Sequence, residues 1–240
     1  MPPEEIPSAL RDRYTLGGII PLQKHYFNQT TSVSRRFTLK KYNEVLEALA
    51  NGSFEYYGNV LSYILAATND FPMNGKHVCV FGAVNVNCDA IALFMGADKV
   101  DILEYNLPVI DHPQVKSISH SVALQKGLQW DSALSISSFE HDGLGRYGDP
   151  LDPDGDLRAM QEARRMLNPG GLLYLAVPVG RDCLVWNAHR IYGKKRLPLL
   201  LDSWKVEKAY GYSENLHNLP LGKYTQPVFV LRKKTVKTAP

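Results

Sequence analysis

His77-Val-Cys-Val-Phe-Gly-Ala-Val-Asn-Val-Asn87 is the stretch that decides the fold. An apolar run of five residues stops at Gly82, and a helix signal then covers about residues 88 to 95, with Asn87 as its cap and Gly96 as its stop. Strand, tight turn and helix in that order open an α/β sheet. Val100-Asp-Ile-Leu-Glu104 supplies the next strand. In a doubly wound sheet, the turn after the first strand faces the ligand crevice where the strand order reverses. Gly82 lets the backbone turn tightly and approach a ligand. Glu104 lies 22 residues further on, the spacing at which an acid accepts hydrogen bonds from ribose hydroxyls. Together they read as a nucleoside-site signal; the competing reading is a tight turn plus a solvent-facing carboxylate. The turn has one glycine where a pyrophosphate-binding turn has three, and Val84 and Val86 crowd it. A ligand without phosphate at this point is therefore favoured over a dinucleotide.

Working outward, strand and helix signals continue to alternate. Val115 to Ser119 is a weaker third strand, and Ser132 to Ser138 is a fourth. Asp156 is placed to cap a helix from Leu157 to Leu167, with Leu157, Met160, Ala163 and Leu167 facing inward. Asn168-Pro-Gly-Gly171 breaks the chain before a fifth strand, Leu172 to Val177. Trp204 to Tyr212 and Pro227 to Leu231 have no helix signal between them, which permits an antiparallel pair at the sheet edge. The expected fold class is α/β, a doubly wound, mostly parallel, seven-stranded Rossmann-like sheet with an antiparallel edge strand. Upstream, Leu39, Tyr42, Val45, Leu46 and Leu49 recur at helical spacing before Gly52. Tyr57, Leu61, Ile64 and Leu65 suggest a second helix that ends before Phe71-Pro72. The expected division is an N-terminal helical extension, 1–75, and an α/β domain, 76–240.

The 240 residues are 45% apolar, which excludes wholesale disorder. Net charge is +3, too small to argue for nucleic acid. Its distribution is uneven: residues 76–180 carry −5 and residues 181–240 carry +8. Cys79, Cys88 and Cys183 sit in apolar segments and read as buried free thiols. The acidic, Pro-rich start lacks a signal-peptide pattern, and no uncharged stretch reaches the roughly 20 residues of a membrane span. The expected setting is the cytoplasm, with no membrane and no nucleic-acid partner. Asn28-Gln-Thr30 and Asn51-Gly-Ser53 match a glycosylation pattern by chance, and Arg232-Lys-Lys234 with Lys237 reads as a solvated tail.

The loop from Glu140 to Asp156 carries six carboxylates against Arg146 alone. Three readings compete. The loop positions a small acceptor, with His141 or an Asp as general base. Its carboxylates hold a divalent cation. Or it is a structural lid whose acids cap the next helix and pair with Arg190 or Lys194. Arg190 reads either as a clamp for a carboxylate or phosphate on the acceptor or as an internal ion-pair partner of this loop. The remaining histidines, His120 among them, show no shared spacing and read as structural.

Ala163-Arg-Arg-Met-Leu-Asn-Pro-Gly-Gly-Leu-Leu-Tyr-Leu-Ala-Val-Pro178 resembles the stretch of class I S-adenosylmethionine-dependent methyltransferases in which a helix ends in Leu-x-Pro-Gly-Gly before the fifth strand. Ser137-Ser-Phe-Glu-His141 looks like the segment that lines their methyl-transfer site. Leu103-Glu-Tyr-Asn106, the run Gly143 to Asp156, and Trp186-Asn-Ala-His-Arg-Ile-Tyr-Gly193 resemble domain-of-unknown-function family 268, grouped with methyltransferase-like folds. The likeness covers roughly residues 55 to 232. It implies seven strands with the last inserted antiparallel. It implies S-adenosylmethionine as cofactor, with Gly82 and Ala83 at its amino-acid part, Glu104 on its ribose, Tyr105 and Asn106 beside the adenosine, and Ser137 and Ser138 nearby. His141, Asp142 and Arg190 become the catalytic candidates, with no metal. The implied function is O- or N-methylation of a small polar acceptor. The alternative is a catalytically inactive binding or scaffold protein, and a nicotinamide-dependent oxidoreductase is a distant third.

Overall fold

The computed structural model describes residues 2–27 and 35–233. Asn28, Thr30, Lys234 and Lys237 lie outside them. Seven strands form the main sheet: β1 (His77–Phe81), β2 (Lys99–Glu104), β3 (Val115–Ser119), β4 (Trp130–Ile136), β5 (Leu167–Ala176), β6 (Trp204–Tyr210) and β7 (Val228–Lys233). The helices are α1 (Ser8–Thr15), α2 (Leu39–Ala50), α3 (Val60–Asp70), α4 (Asn87–Phe94), α5 (His120–Gln125), α6 (Gly155–Arg165) and α7 (Arg196–Leu201).

The spatial order is β6-β7-β5-β4-β1-β2-β3. Strands β1 to β5 are parallel wherever they pair, and β7 runs antiparallel to both β5 and β6. The antiparallel strand therefore sits one place in from the edge, between β5 and β6. The order reverses between β1 and β4, so a crevice opens at their carboxyl ends. Parallel strands covered on both faces need apolar residues throughout. Accordingly Val78, Cys79, Val80 and Phe81 of β1 are all buried.

Several sequence boundaries shift for physical reasons. Asn87 is the first residue of α4 rather than its cap; Asn85 Oδ1 instead accepts from the Asn87 N–H at 3.0 Å. The Pro-Gly-Gly segment does not end the sheet. It lies within β5, where a register irregularity between Trp130 and Ser132 of β4 absorbs it. Helices α1, α5 and α7 lacked a strong sequence signal, being only six to eight residues long.

The upstream helices pack on the sheet's own core. Phe37, Tyr42, Leu49, Val60 and Ile64 join one apolar cluster with Val78, Val80 and Ile91. The Tyr42 hydroxyl donates to Asp89 of α4. Helix α1 instead meets the loop after β4: the Tyr14 hydroxyl donates to the Gly143 carbonyl at 2.5 Å, and Arg13 pairs with Asp154 at 2.8 Å. The three cysteines are buried and free. No helix among the described residues is long and apolar enough to cross a membrane.

Asp156 departs most from its expected role. It sits inside the first turn of α6, fully buried, and caps nothing. Its carboxylate accepts from Arg196 Nε at 2.9 Å and Nη2 at 2.5 Å, and from the Tyr192 hydroxyl at 3.0 Å. Arg190 Nε stands 3.7 Å away. Burial alone would raise this carboxyl, yet the two guanidinium groups hold it below the ordinary range. Removing one partner of a buried ion pair strands the others. Asp156→Asn is therefore expected to cost about 3–5 kcal/mol in urea unfolding at neutral pH. Because the folded pKa is depressed, this contribution is present above the unfolded value near 3.9 and is lost as pH falls through the folded one. The variant should then converge on the wild type in acid.

Candidate functional site

A cavity of about 870 Å³ opens at the carboxyl ends of β1, β2 and β4. It draws Gly82 from the turn after β1, Glu104, Tyr105 and Asn106 from the end of β2, and Ser137 and Ser138 from the end of β4. His141, Asp142, Tyr147 and Asp149 come from the acidic loop, and Arg158 and Glu162 from α6.

The backbone requirement at Gly82 is concrete. Its φ is +73°, and a Cβ there would stand 2.1 Å from Ser138 Oγ. Only glycine lets the turns after β1 and β4 approach so closely. Val84 is exposed at the rim and Val86 is buried in the core, so the crevice stays open. The Ala83 side chain is buried too, and its carbonyl accepts from Arg35 Nη1 at 2.9 Å.

Glu104 reaches the cavity with a partner that the sequence did not announce. Arg35 Nη2 lies 3.4 Å from Glu104 Oε2 and donates to the Asn106 carbonyl at 2.9 Å. Burial raises the Glu104 carboxyl above its ordinary range, and the Arg35 guanidinium partly opposes this. His120 also enters the lining, its ring 5.8 Å from that of Tyr105. Nothing local in the sequence singles out Arg35, Tyr147, Arg158 or Glu162, and His120, expected to be structural, lines the cavity with them. Arg35 meets Ala83 across 48 residues, and no local pattern encodes such a contact.

Four of the loop's six acids hold the loop in place, one from within and three through arginines outside it. Asp149 accepts from the backbone N–H groups of Gly143, Gly145 and Tyr147 at 2.7, 3.0 and 3.2 Å. Asp152 pairs with Arg158 at 2.6 Å, Asp154 with Arg13, and Asp156 with Arg196 rather than Lys194. No group of three or more His, Cys, Asp or Glu among the described residues is placed to hold a metal ion. Glu140 and Asp142 remain. Burial pushes the Glu140 carboxyl up to about 7. Burial, then the nearby Asp149, raises Asp142 well above the carboxylate range.

The catalytic candidates separate accordingly. Asp142 and His141 face the cavity. His141 Nδ1 lies 2.5 Å from the Ala188 carbonyl. A carbonyl only accepts, so Nδ1 carries the proton and Nε2 is bare. Burial lowers this imidazole to about 3, with Arg146 and His189 pushing the same way. It is neutral at physiological pH and a weak general base. Arg190 lies outside the cavity lining and is 2% exposed. It donates to the carbonyls of Asp142 at 2.6 Å, Pro153 at 3.3 Å, and Glu140 and Asp152 at 3.4 Å. Its guanidinium is committed to the loop and is not free to clamp an acceptor.

Residues 75–234 match the family described as "Caenorhabditis protein of unknown function, DUF268". No curated protein matches the chain. The fold is similar to that of the Burkholderia thailandensis 1,6-didemethyltoxoflavin-N1-methyltransferase, solved with 1,6-didemethyltoxoflavin and S-adenosylhomocysteine bound. That likeness has a TM-score of 0.55 at 17% identity and covers 89% of this chain and 100% of the other. The N-methyltransferase NodS from Bradyrhizobium japonicum WM9 aligns with a TM-score of 0.48 at 12% identity, over 73% of this chain and 94% of its own. The likeness to the Burkholderia enzyme, together with the sheet order, shows a class I methyltransferase-like fold.

Gly82→Ala is expected to destabilise the protein by about 1–3 kcal/mol, from left-handed strain and the clash with Ser138. Adding Ser138→Gly should recover part of the loss. Urea unfolding of the single and double variants checks this; equal stabilities would contradict the close approach.

Proposed function

We propose that this chain, which belongs to the DUF268 family, binds S-adenosylmethionine in its crevice and passes the methyl group to a small polar acceptor, an oxygen or a nitrogen. One observation carries the reading. The Gly82 turn, the Glu104 carboxylate and the Ser137–Ser138 segment converge on one cavity where the strand order reverses. A volume of about 870 Å³ lies within the roughly 300–1,000 Å³ typical of small-molecule sites. The residues suit a nucleoside. A carboxylate at the end of β2 accepts from ribose hydroxyls, while Arg35 holds it from the other side. Tyr105 and Asn106 flank the adenosine, and the Gly82–Ala83 backbone meets the amino-acid part.

S-adenosylmethionine, when bound, supplies an electrophilic sulfonium methyl group. The chain's own contribution is chiefly positioning. Holding an acceptor in line and in contact removes most of the entropic barrier to such a displacement. The acidic loop and α6 line the acceptor side of the cavity, with Asp142 the cavity-facing carboxyl of raised pKa and Arg190 fixing the loop from behind. An open crevice favours this reading over an inactive scaffold, which would tolerate a filled one. On the same reading, residues 1–75 are a helical extension of the 76–240 domain, and the buried free thiols suit the reducing cytoplasm.

Isothermal titration with S-adenosylmethionine and S-adenosylhomocysteine tests the proposal. Both are expected to bind with one-to-one stoichiometry. Glu104→Ala should weaken both at least about tenfold, since a hydrogen bond to a charged group contributes about 1.5–3 kcal/mol. A folded wild-type sample that binds neither would sink it.

A further inference from the structure

Arg35 joins the two turns that frame the crevice. Its Nη1 donates to the Ala83 carbonyl at 2.9 Å, in the turn after β1. Its Nη2 donates to the Asn106 carbonyl at 2.9 Å, past the end of β2, and stands 3.4 Å from Glu104 Oε2. These contacts engage three of the five N–H groups of a guanidinium, leaving the Nε–H and the second Nη1–H for water or a ligand. The side chain is 19% exposed and lines the cavity, so a ligand held there reaches it. It comes from the segment before α2, outside the matched residues 75–234.

The charge of the cavity points to a second task for this guanidinium. Among the described residues, five carboxylates line the cavity against two arginines, Arg35 and Arg158. S-adenosylmethionine carries a sulfonium, an ammonium and a carboxylate. Its two cationic groups suit an acid-lined wall. Its carboxylate meets like charge there except beside an arginine, and burying it unpaired is costly. Arg158 is exposed and pairs with Asp152 at 2.6 Å. Arg35 instead touches the Gly82–Ala83 turn, where the amino-acid part lies in the function proposed above.

We infer that Arg35 receives the α-carboxylate of the cofactor, so that the segment before α2 completes the cofactor site. The inference rests on the S-adenosylmethionine reading and deepens it. Arg35 then has two duties: it steadies Glu104 beside the ribose, and it pairs with the carboxylate through its remaining N–H groups. The class recognised is a nucleoside that bears an amino acid, not a bare nucleoside. A positioning role alone would differ in its reach. A residue that only steadies Glu104 acts through the ribose, and so acts alike on every ligand that has one. A partner of the carboxylate acts only on ligands that carry it.

The test is isothermal titration with S-adenosylmethionine and its decarboxylated form, which share sulfonium, ammonium and nucleoside. The ratio of the two affinities is compared between variants, so the cavity's general preference for cations cancels. Arg35→Met is expected to shift the ratio toward the decarboxylated ligand by about tenfold or more, as for a lost hydrogen bond to a charged group. Arg35→Gln, which keeps an N–H donor group but loses the charge, should shift it the same way and replaces Arg35→Met if that variant does not fold. Arg35→Lys should show a smaller shift, because an ammonium keeps the charge and loses the fork. Arg158→Met removes an equal charge from the same cavity, and its shift should stay within about threefold, the field effect alone. An unchanged ratio in the Arg35 variants would overturn the inference and leave Arg35 as a positioning residue. An equal shift in Arg158→Met would overturn it too, since the effect would then be one of field rather than contact. In both cases the S-adenosylmethionine reading stands. If the folded wild type binds neither ligand, that reading fails and the inference falls with it.

Discussion

The buried Asp156 carboxylate, shared by Arg196, Tyr192 and Arg190, is the contact on which the candidate site depends. It joins the start of α6 to the segment after β5. Arg190 then carries that anchorage forward, gathering carbonyl oxygens from Glu140, Asp142, Asp152 and Pro153. The loop's backbone is therefore shaped around a guanidinium as well as around its own hydrogen bonds. Desolvating an acid and two bases is expensive, and a buried ion cluster is weak evidence for net stability. Its value here is geometric, since it holds one conformation of a glycine-rich loop that has few apolar side chains to pack.

The same cluster is one place where the uneven charge along the chain comes together. The acidic surplus of residues 76–180 and the basic surplus of residues 181–240 meet partly inside the protein. Arg190 and Arg196 answer Asp156 there. At Arg190 that opposition is a strut behind the cavity rim.

The sheet was legible because its signals are local. An apolar run closed by Gly82 and a second run ending in Glu104 state strand, turn and ligand edge within 30 residues. Boundaries slipped where tertiary pairing overrode a breaker: Pro169 and the two glycines after it are held inside β5. Of the residues singled out in the sequence, Gly82, Glu104, Tyr105, Asn106, Ser137 and Ser138 all reach one cavity, whereas Ala83 does not line it. Arg35 and Tyr147 were not singled out, because their positions follow from packing between distant segments.

The leading segment grips the crevice twice. Tyr14 holds the loop after β4 through Gly143, 129 residues away, and Arg35 holds the turns after β1 and β2. Tyr14 thus meets its partner across more than half of the 240 residues, and Arg35 meets Ala83 and Asn106 across 48 and 71. Contacts of such sequence separation are slow to form, because a long loop must close before they contribute. The β1–β2 unit with α4 can assemble early, while the loop waits for distant segments on either side of it. The crevice is accordingly a late product of folding, completed by contacts of long sequence separation.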